Sequence, residues 1–117
     1  MARDHSWRGM RLDEIFDDLV EGVSQPRVYL KLDTQGWDVE VFAGAAGCLD
    51  RVVAMQSELS VQPLYEGMPS YQEALEVYSA AGFEVSGMFP LVRDAALRLI
   101  EFDCVLVRPE AQAIHPR

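Results

Sequence analysis

Segments with helical spacing alternate along this chain with segments of strand character, and that alternation limits what it can fold into. Ile15, Phe16, Leu19 and Val20 fall on one helical face, with Asp13 placed to cap the helix and Gly22 to stop it. A turn at Ser24, Gln25 and Pro26 leads into the strand-like run Val28-Tyr29-Leu30-Lys31-Leu32. A second helix is expected from Trp37, its stripe formed by Val39, Phe42, Ala46 and Leu49, followed by a strand over residues 52–59. Ser70 and Glu73 have the spacing of a capping box for a third helix, with Tyr71, Leu75 and Tyr78 inward and Gly82 as its stop. Two β-rich runs, residues 83–89 and Leu99–Val107, close the pattern. Helices between the first strands require parallel pairing through right-handed crossovers. The short last link suits an antiparallel hairpin. The expectation is an α/β fold with a mixed sheet: two parallel strands plus a C-terminal antiparallel hairpin, and about three helices mainly on one face.

The length, 117 residues, suits one domain over residues 12–109, with a frayed segment at 1–11 and a flexible tail at 110–117. Ten basic and 19 acidic side chains give a net charge of −9 shared by both halves, and such a surface repels phosphate backbones, so nucleic acid is not expected as a partner. The longest uncharged apolar run, residues 41–49, is half of the roughly 18 residues a bilayer span needs, so no membrane is expected either. Cys48 and Cys104 lie among apolar neighbours without CxxC spacing, as buried free thiols in a reducing compartment do. A cytoplasmic protein is the expectation. Gly44-Ala45-Ala46-Gly47 lacks the Lys-Ser/Thr pair and the strand-to-helix setting of a phosphate loop, and its small residues serve close packing.

Polar residues on the strands point to chemistry. Tyr29, Lys31 and Asp33 share one face of the first strand, and Ala54, Gln56 and Glu58 share one face of the second. Parallel pairing in simple register sets Lys31 near Gln56 and Asp33 near Glu58. An antiparallel last strand beside the second brings Glu101 and Asp103 toward Glu58. Buried parallel strands normally read as unbroken Val/Ile/Leu runs, so ionisable groups on three strands require a reason. One reason is a satisfied network in which Lys31 neutralises a carboxylate. The other is a site beyond the carboxyl ends of the strands, where crowded carboxylates raise one another's pKa and make one a general base. Three carboxylates could also hold a hard divalent ion, but His5 and His115 lie in the end segments and no EF-hand loop is present, so no metal ligands are assigned.

The run Leu30-Lys31-Leu32-Asp33-Thr34-Gln35-Gly36-Trp37-Asp38-Val39-Glu40 resembles the hallmark segment of FkbM-type methyltransferases, S-adenosylmethionine-dependent enzymes of the Rossmann-like class. That hallmark is hydrophobic-Lys-hydrophobic-Asp, two variable residues, then Gly, an aromatic and an acid. Leu12-Asp13, Gly44-Ala45, Gln56-Ser57-Glu58-Leu59-Ser60, Leu64-Tyr65-Glu66-Gly67, Gly82-Phe83 and Glu101-Phe102-Asp103 follow the same family's order. Trp37 stands where Tyr or Phe is usual, and Asp38 where Glu is usual.

The likeness spans roughly residues 12–109 and implies the carboxyl half of the methyltransferase fold, since nothing before Leu12 supplies the Gly-rich turn that holds the cofactor. The implied reaction is methyl transfer from S-adenosylmethionine to a hydroxyl of a sugar, polyketide or similar small molecule. Asp33, Thr34, Gln35 and Gly36 would then face the cofactor. Asp33, Glu58 and Lys31 would act at the reacting centre, and Gln56, Tyr65 and Asp103 would meet the substrate. A half-fold leaves one sheet face uncovered and an unpaired edge at Val28–Leu32, which predicts a homodimer or association with a cofactor-binding half. The alternatives are a non-catalytic interaction module derived from that fold and a divalent-ion or small-acid binding domain using Lys31, Asp33, Glu58 and Asp103.

Overall fold

The computed structural model describes residues 11–34 and 36–109. The expected end segments, apart from Arg11, lie outside the described residues together with Gln35. In chain order the elements are α1 (Leu12–Leu19), β1 (Val28–Leu32), α2 (Asp38–Ala43), a 3-10 helix (Ala46–Arg51), β2 (Val52–Ser60), α3 (Tyr71–Ala80), β3 (Glu84–Arg93) and β4 (Leu99–Val107). The strands form one open mixed sheet in the order β1-β2-β4-β3, with β1 parallel to β2 and β4 antiparallel to both of its neighbours. This is the α/β arrangement of two parallel strands and a terminal hairpin that the sequence pattern predicts.

Alternation along the strands sorts the two faces of the sheet. Leu32 of β1, Met55 and Leu59 of β2, and Phe102, Cys104 and Leu106 of β4 pack against Phe42 of α2 and Ala74 and Tyr78 of α3. Burying each of the larger side chains contributes about 1.5–3 kcal/mol, so this layer dominates the stability. A smaller cluster of Phe16, Ala45 and Cys48 seats α1 on the 3-10 helix, and Val28 and Leu49 touch both clusters. The opposite face keeps Tyr29, Lys31, Ala54, Gln56, Glu58, Glu101, Asp103 and Val105 exposed or half-exposed.

The third helix follows its sequence signals closely. The Ser70 hydroxyl accepts from the Glu73 amide at 3.1 Å, and the Glu73 carboxylate reaches back to the Ser70 amide. At the other end Gly82 takes φ +96°, its N–H donates to Ser79 and that of Phe83 to Tyr78, as a Schellman turn requires. Phe83 leaves that turn straight into the core.

Four expectations are corrected. The second helix does not run on to Leu49. It breaks at Gly44, because the Asp13 amide donates to the Gly44 carbonyl and the Asp13 carboxylate takes the Gly47 amide, satisfying the chain from α1 instead. A Cβ on Gly47 would lie 3.1 Å from that of Asp13, which is why small residues occur here. Asp13 is therefore not a helix cap; Arg11 holds the capping position without a side-chain bond. Arg11, placed by composition in the frayed segment, is fixed by Asp13 at 3.0 Å and by the Ala43 carbonyl at 3.1 Å. Finally, β3 extends past Phe89 and through Pro90 to Arg93, as a strand at the sheet edge can, with register shifts around the proline.

Candidate functional site

The carboxyl end of β1 brings Asp33 to the acids that β2 and β4 carry on the open face. Lys31 pairs with Gln56 and Leu32 with Ser57, so Asp33, the next residue, comes beside Glu58. Across the β2–β4 ladder Asp103 stands opposite Glu58, and Glu101 opposite Ser60. Partial burial, with the Glu101 and Asp33 carboxyls at hydrogen-bonding reach and their charges nearby, pushes the Glu58 carboxyl up to about 7. Protonated, Glu58 can donate to either neighbour; ionised, it is a base poised at neutral pH.

Asp103 is the ladder partner of Glu58, yet the neighbours that raise the Glu58 carboxyl are Glu101 and Asp33. Diagonal neighbours on a sheet come within reach of long side chains, and it is Glu101, opposite Ser60, that raises the Glu58 carboxyl. Lys31 lies on the same face, exposed. Among the described residues it forms no ion pair with these carboxylates, so the neutralised network weighed above is not what holds them. Gln56 is engaged by the Tyr29 hydroxyl, which donates to its Oε1 at 2.8 Å.

Behind this rim is a buried polar chain that the sequence reading did not single out. Asp38, 4% exposed at the start of α2, accepts from the Thr34 amide at 2.9 Å and from the Thr34 hydroxyl through one oxygen. Its other oxygen accepts from the Ser57 hydroxyl at 2.6 Å. With its only proton given to Asp38, the Ser57 hydroxyl accepts from Tyr78, 2.8 Å away. Burial, the largest influence on Tyr78, pushes its hydroxyl well above the usual tyrosine range and keeps it a donor. One signal was available in the sequence. Ser57 interrupts the apolar face Met55-x-Ser57-x-Leu59, and a buried hydroxyl needs a partner.

The loop after β2 closes the other side of the site. The Tyr65 hydroxyl donates to the Gly36 carbonyl at 3.0 Å, and the ring stacks on Trp37 with centroids 4.9 Å apart. Trp37 is 48% exposed at the rim. Gly36, Asp38, Glu58, Ser60, Met68 and Tyr71 surround a crevice of about 20 Å³, room for a single water.

Of the residues singled out from sequence, Asp33, Glu58, Thr34, Gly36 and Tyr65 gather at one end of the sheet. Lys31, Gln56 and Asp103 share its open face, and Gln35 lies outside the described residues. Among the described residues no group of three or more His, Cys, Asp or Glu side chains is arranged to hold a metal ion. No described helix is long and apolar enough to cross a membrane. Compared with protein-family models, curated proteins and solved structures, the chain matches none.

Proposed function

We propose that this chain is the acceptor-binding half of an S-adenosylmethionine-dependent O-methyltransferase of FkbM type, with Glu58 as the base for the acceptor hydroxyl. The carrying observation is the Glu58 carboxyl, raised to about 7 between Asp33 and Glu101 at the carboxyl ends of the parallel strands. The mixed sheet agrees with the half-fold that the Leu30 to Glu40 resemblance implies. In this reading Glu58 would take the proton of the acceptor hydroxyl, and the cofactor, held by the other half, would supply the methyl group from its sulfonium and leave as S-adenosylhomocysteine. Asp33 and Glu101 keep the Glu58 proton exchangeable near neutrality. Trp37 and Tyr65 border the acceptor.

The described residues do not by themselves fit the cofactor. The crevice admits one water, both Thr34 donors are taken by Asp38, and the Gly36 carbonyl is taken by Tyr65. Cofactor binding is therefore assigned to a separate half, and the isolated chain is expected to have no measurable affinity for S-adenosylmethionine. The test is to combine the chain with a separately made amino half of such an enzyme and follow labelled methyl transfer to sugar hydroxyls. Transfer is expected, with a rate limb near pH 7, and Glu58→Gln should lower it by roughly 10²–10⁴-fold. Transfer that survives Glu58→Gln unchanged would overturn the assignment.

One observation favours a second reading, an interaction module that works by sheet pairing. The edge strand β3 exposes Val85, Met88, Phe89, Leu91 and Val92, and an apolar edge of that length is a template for another chain. A homodimer is the simplest product, and sedimentation showing only monomer at tens of micromolar would dismiss it.

A further inference from the structure

Asp33 is the only member of the acid cluster that lies outside a regular element, since β1 ends at Leu32 and α2 begins at Asp38. The β1–β2 register nevertheless brings it beside Glu58, whose carboxyl it raises. The chain on both sides of Asp33 is fastened to the same residue of β2. On one side Leu32 pairs with Ser57 in the parallel ladder. On the other, the Thr34 amide and hydroxyl both donate to Asp38, whose second oxygen receives the Ser57 hydroxyl. Ser57 in turn adjoins Glu58 along the strand. A closed loop results, Ser57 to Leu32, Asp33, Thr34, Asp38 and back to Ser57, with Asp33 at its outer corner.

We infer that Asp38 is a positioning residue, whose buried carboxylate pins the turn after β1 so that the Asp33 carboxylate is held against Glu58. The acceptor count explains why a carboxylate is needed. Three donors converge on two oxygens that must offer nothing but lone pairs. An amide at 38 still serves Thr34 with its oxygen but presents N–H groups to Ser57. The hydroxyl chain then reverses, and the buried Tyr78 proton loses its acceptor. Asp38 itself lies behind the rim, 4% exposed, so it acts through the turn and not on a ligand.

The groups that share the face with Glu58 are Lys31 from β1, Asp33 from the turn that follows it, and Glu101 and Asp103 from β4. Loosening the Asp33 turn removes both its hydrogen bond and its charge from Glu58 and leaves burial and Glu101. The Glu58 titration midpoint is therefore the readout, followed by carbon-13 NMR of its carboxyl in the intact chain. Asp38→Asn is expected to lower it by about one pH unit, and Thr34→Val, which keeps the Ser57 bond, by about half a unit. Tyr78→Phe, which leaves the Thr34–Asp38–Ser57 links in place, should not move it. In an Asp33→Asn background, Asp38→Asn should add no further shift.

A midpoint unchanged in folded Asp38→Asn or Thr34→Val overturns the inference. An equal fall in Tyr78→Phe overturns it too, because general loosening would then account for the effect. Should Asp38→Asn fail to fold, Thr34→Val alone decides. The readout is a titration, so it stands or falls separately from methyl transfer.

Discussion

The ring of Tyr65 occupies the space that a side chain on Gly36 would need: a Cβ there would lie 2.9 Å from the Tyr65 Cε1. Gly36 also adopts φ +101°, which only glycine takes without strain. Two independent constraints thus fix one residue at the turn between β1 and α2, and the hydroxyl bond to its carbonyl ties the β2–α3 loop to that turn.

Gly36→Ala is therefore expected to cost about 1–3 kcal/mol, read as a lower urea midpoint. Gly22→Ala supplies the comparison. Gly22 has φ +82° but nothing within 4 Å of a Cβ, so only backbone strain applies and the loss should be smaller. Equal losses at the two sites would show that the Tyr65 contact contributes nothing.

The pH dependence of stability follows from Glu58. Its native carboxyl titrates near 7, above the ordinary 4.5, so between those values the native state binds more protons than the unfolded chain. The stabilising contribution is complete below about pH 4.5 and is lost as pH rises through about 7. Glu58→Gln should flatten that slope and raise the urea midpoint at pH 8 relative to the parent chain. A parent curve that rises across this window, once the other carboxyls are accounted for, contradicts the assignment.

Ser57 and Tyr78 should separate by their place in the buried chain. Tyr78→Phe removes one donor and strands no other, a loss of about 1 kcal/mol. Ser57→Ala leaves both an Asp38 oxygen and the Tyr78 hydroxyl unpartnered in the core, a loss of about 2–4 kcal/mol. Denaturant unfolding of the two variants ranks them, and a smaller loss for Ser57→Ala would refute the donor direction given above.

Burial raises the thiol pKa of both Cys48 and Cys104. A buried, protonated thiol is a poor nucleophile, so an aromatic disulfide reagent should label neither at neutral pH until urea unfolds the chain. Immediate labelling of either cysteine under native conditions would contradict its burial.

Capping supplies the simplest local test. Ser70→Ala should cost about 1 kcal/mol, because the Glu73 amide then loses its acceptor at 3.1 Å. Glu73→Ala should cost less, since the return bond to the Ser70 amide is long at 3.5 Å.

Local chemistry was enough to write most of the fold. Ser70 with Glu73 and Gly82 bounded α3, since capping boxes and positive-φ stops act within a few residues. The two-residue period of Val28 to Leu32 and of Val52 to Ser60 assigned their faces. Parallel pairing then carried Asp33 to Glu58 with no tertiary information beyond register, because a shared pleat fixes which side chains meet. Three matters were settled only by packing. Gly44 ends α2 because Asp13, 31 residues earlier, supplies a competing hydrogen bond. Glu101, and not only the ladder partner Asp103, bears on Glu58, because diagonal neighbours can interact across a sheet where register alone pairs other residues. Asp38, read in sequence only as the acid of the hallmark segment, is drawn into the interior by Thr34 and Ser57. A periodicity reports which face a residue occupies. Only the assembled interior determines which polar groups must find one another once water has been excluded.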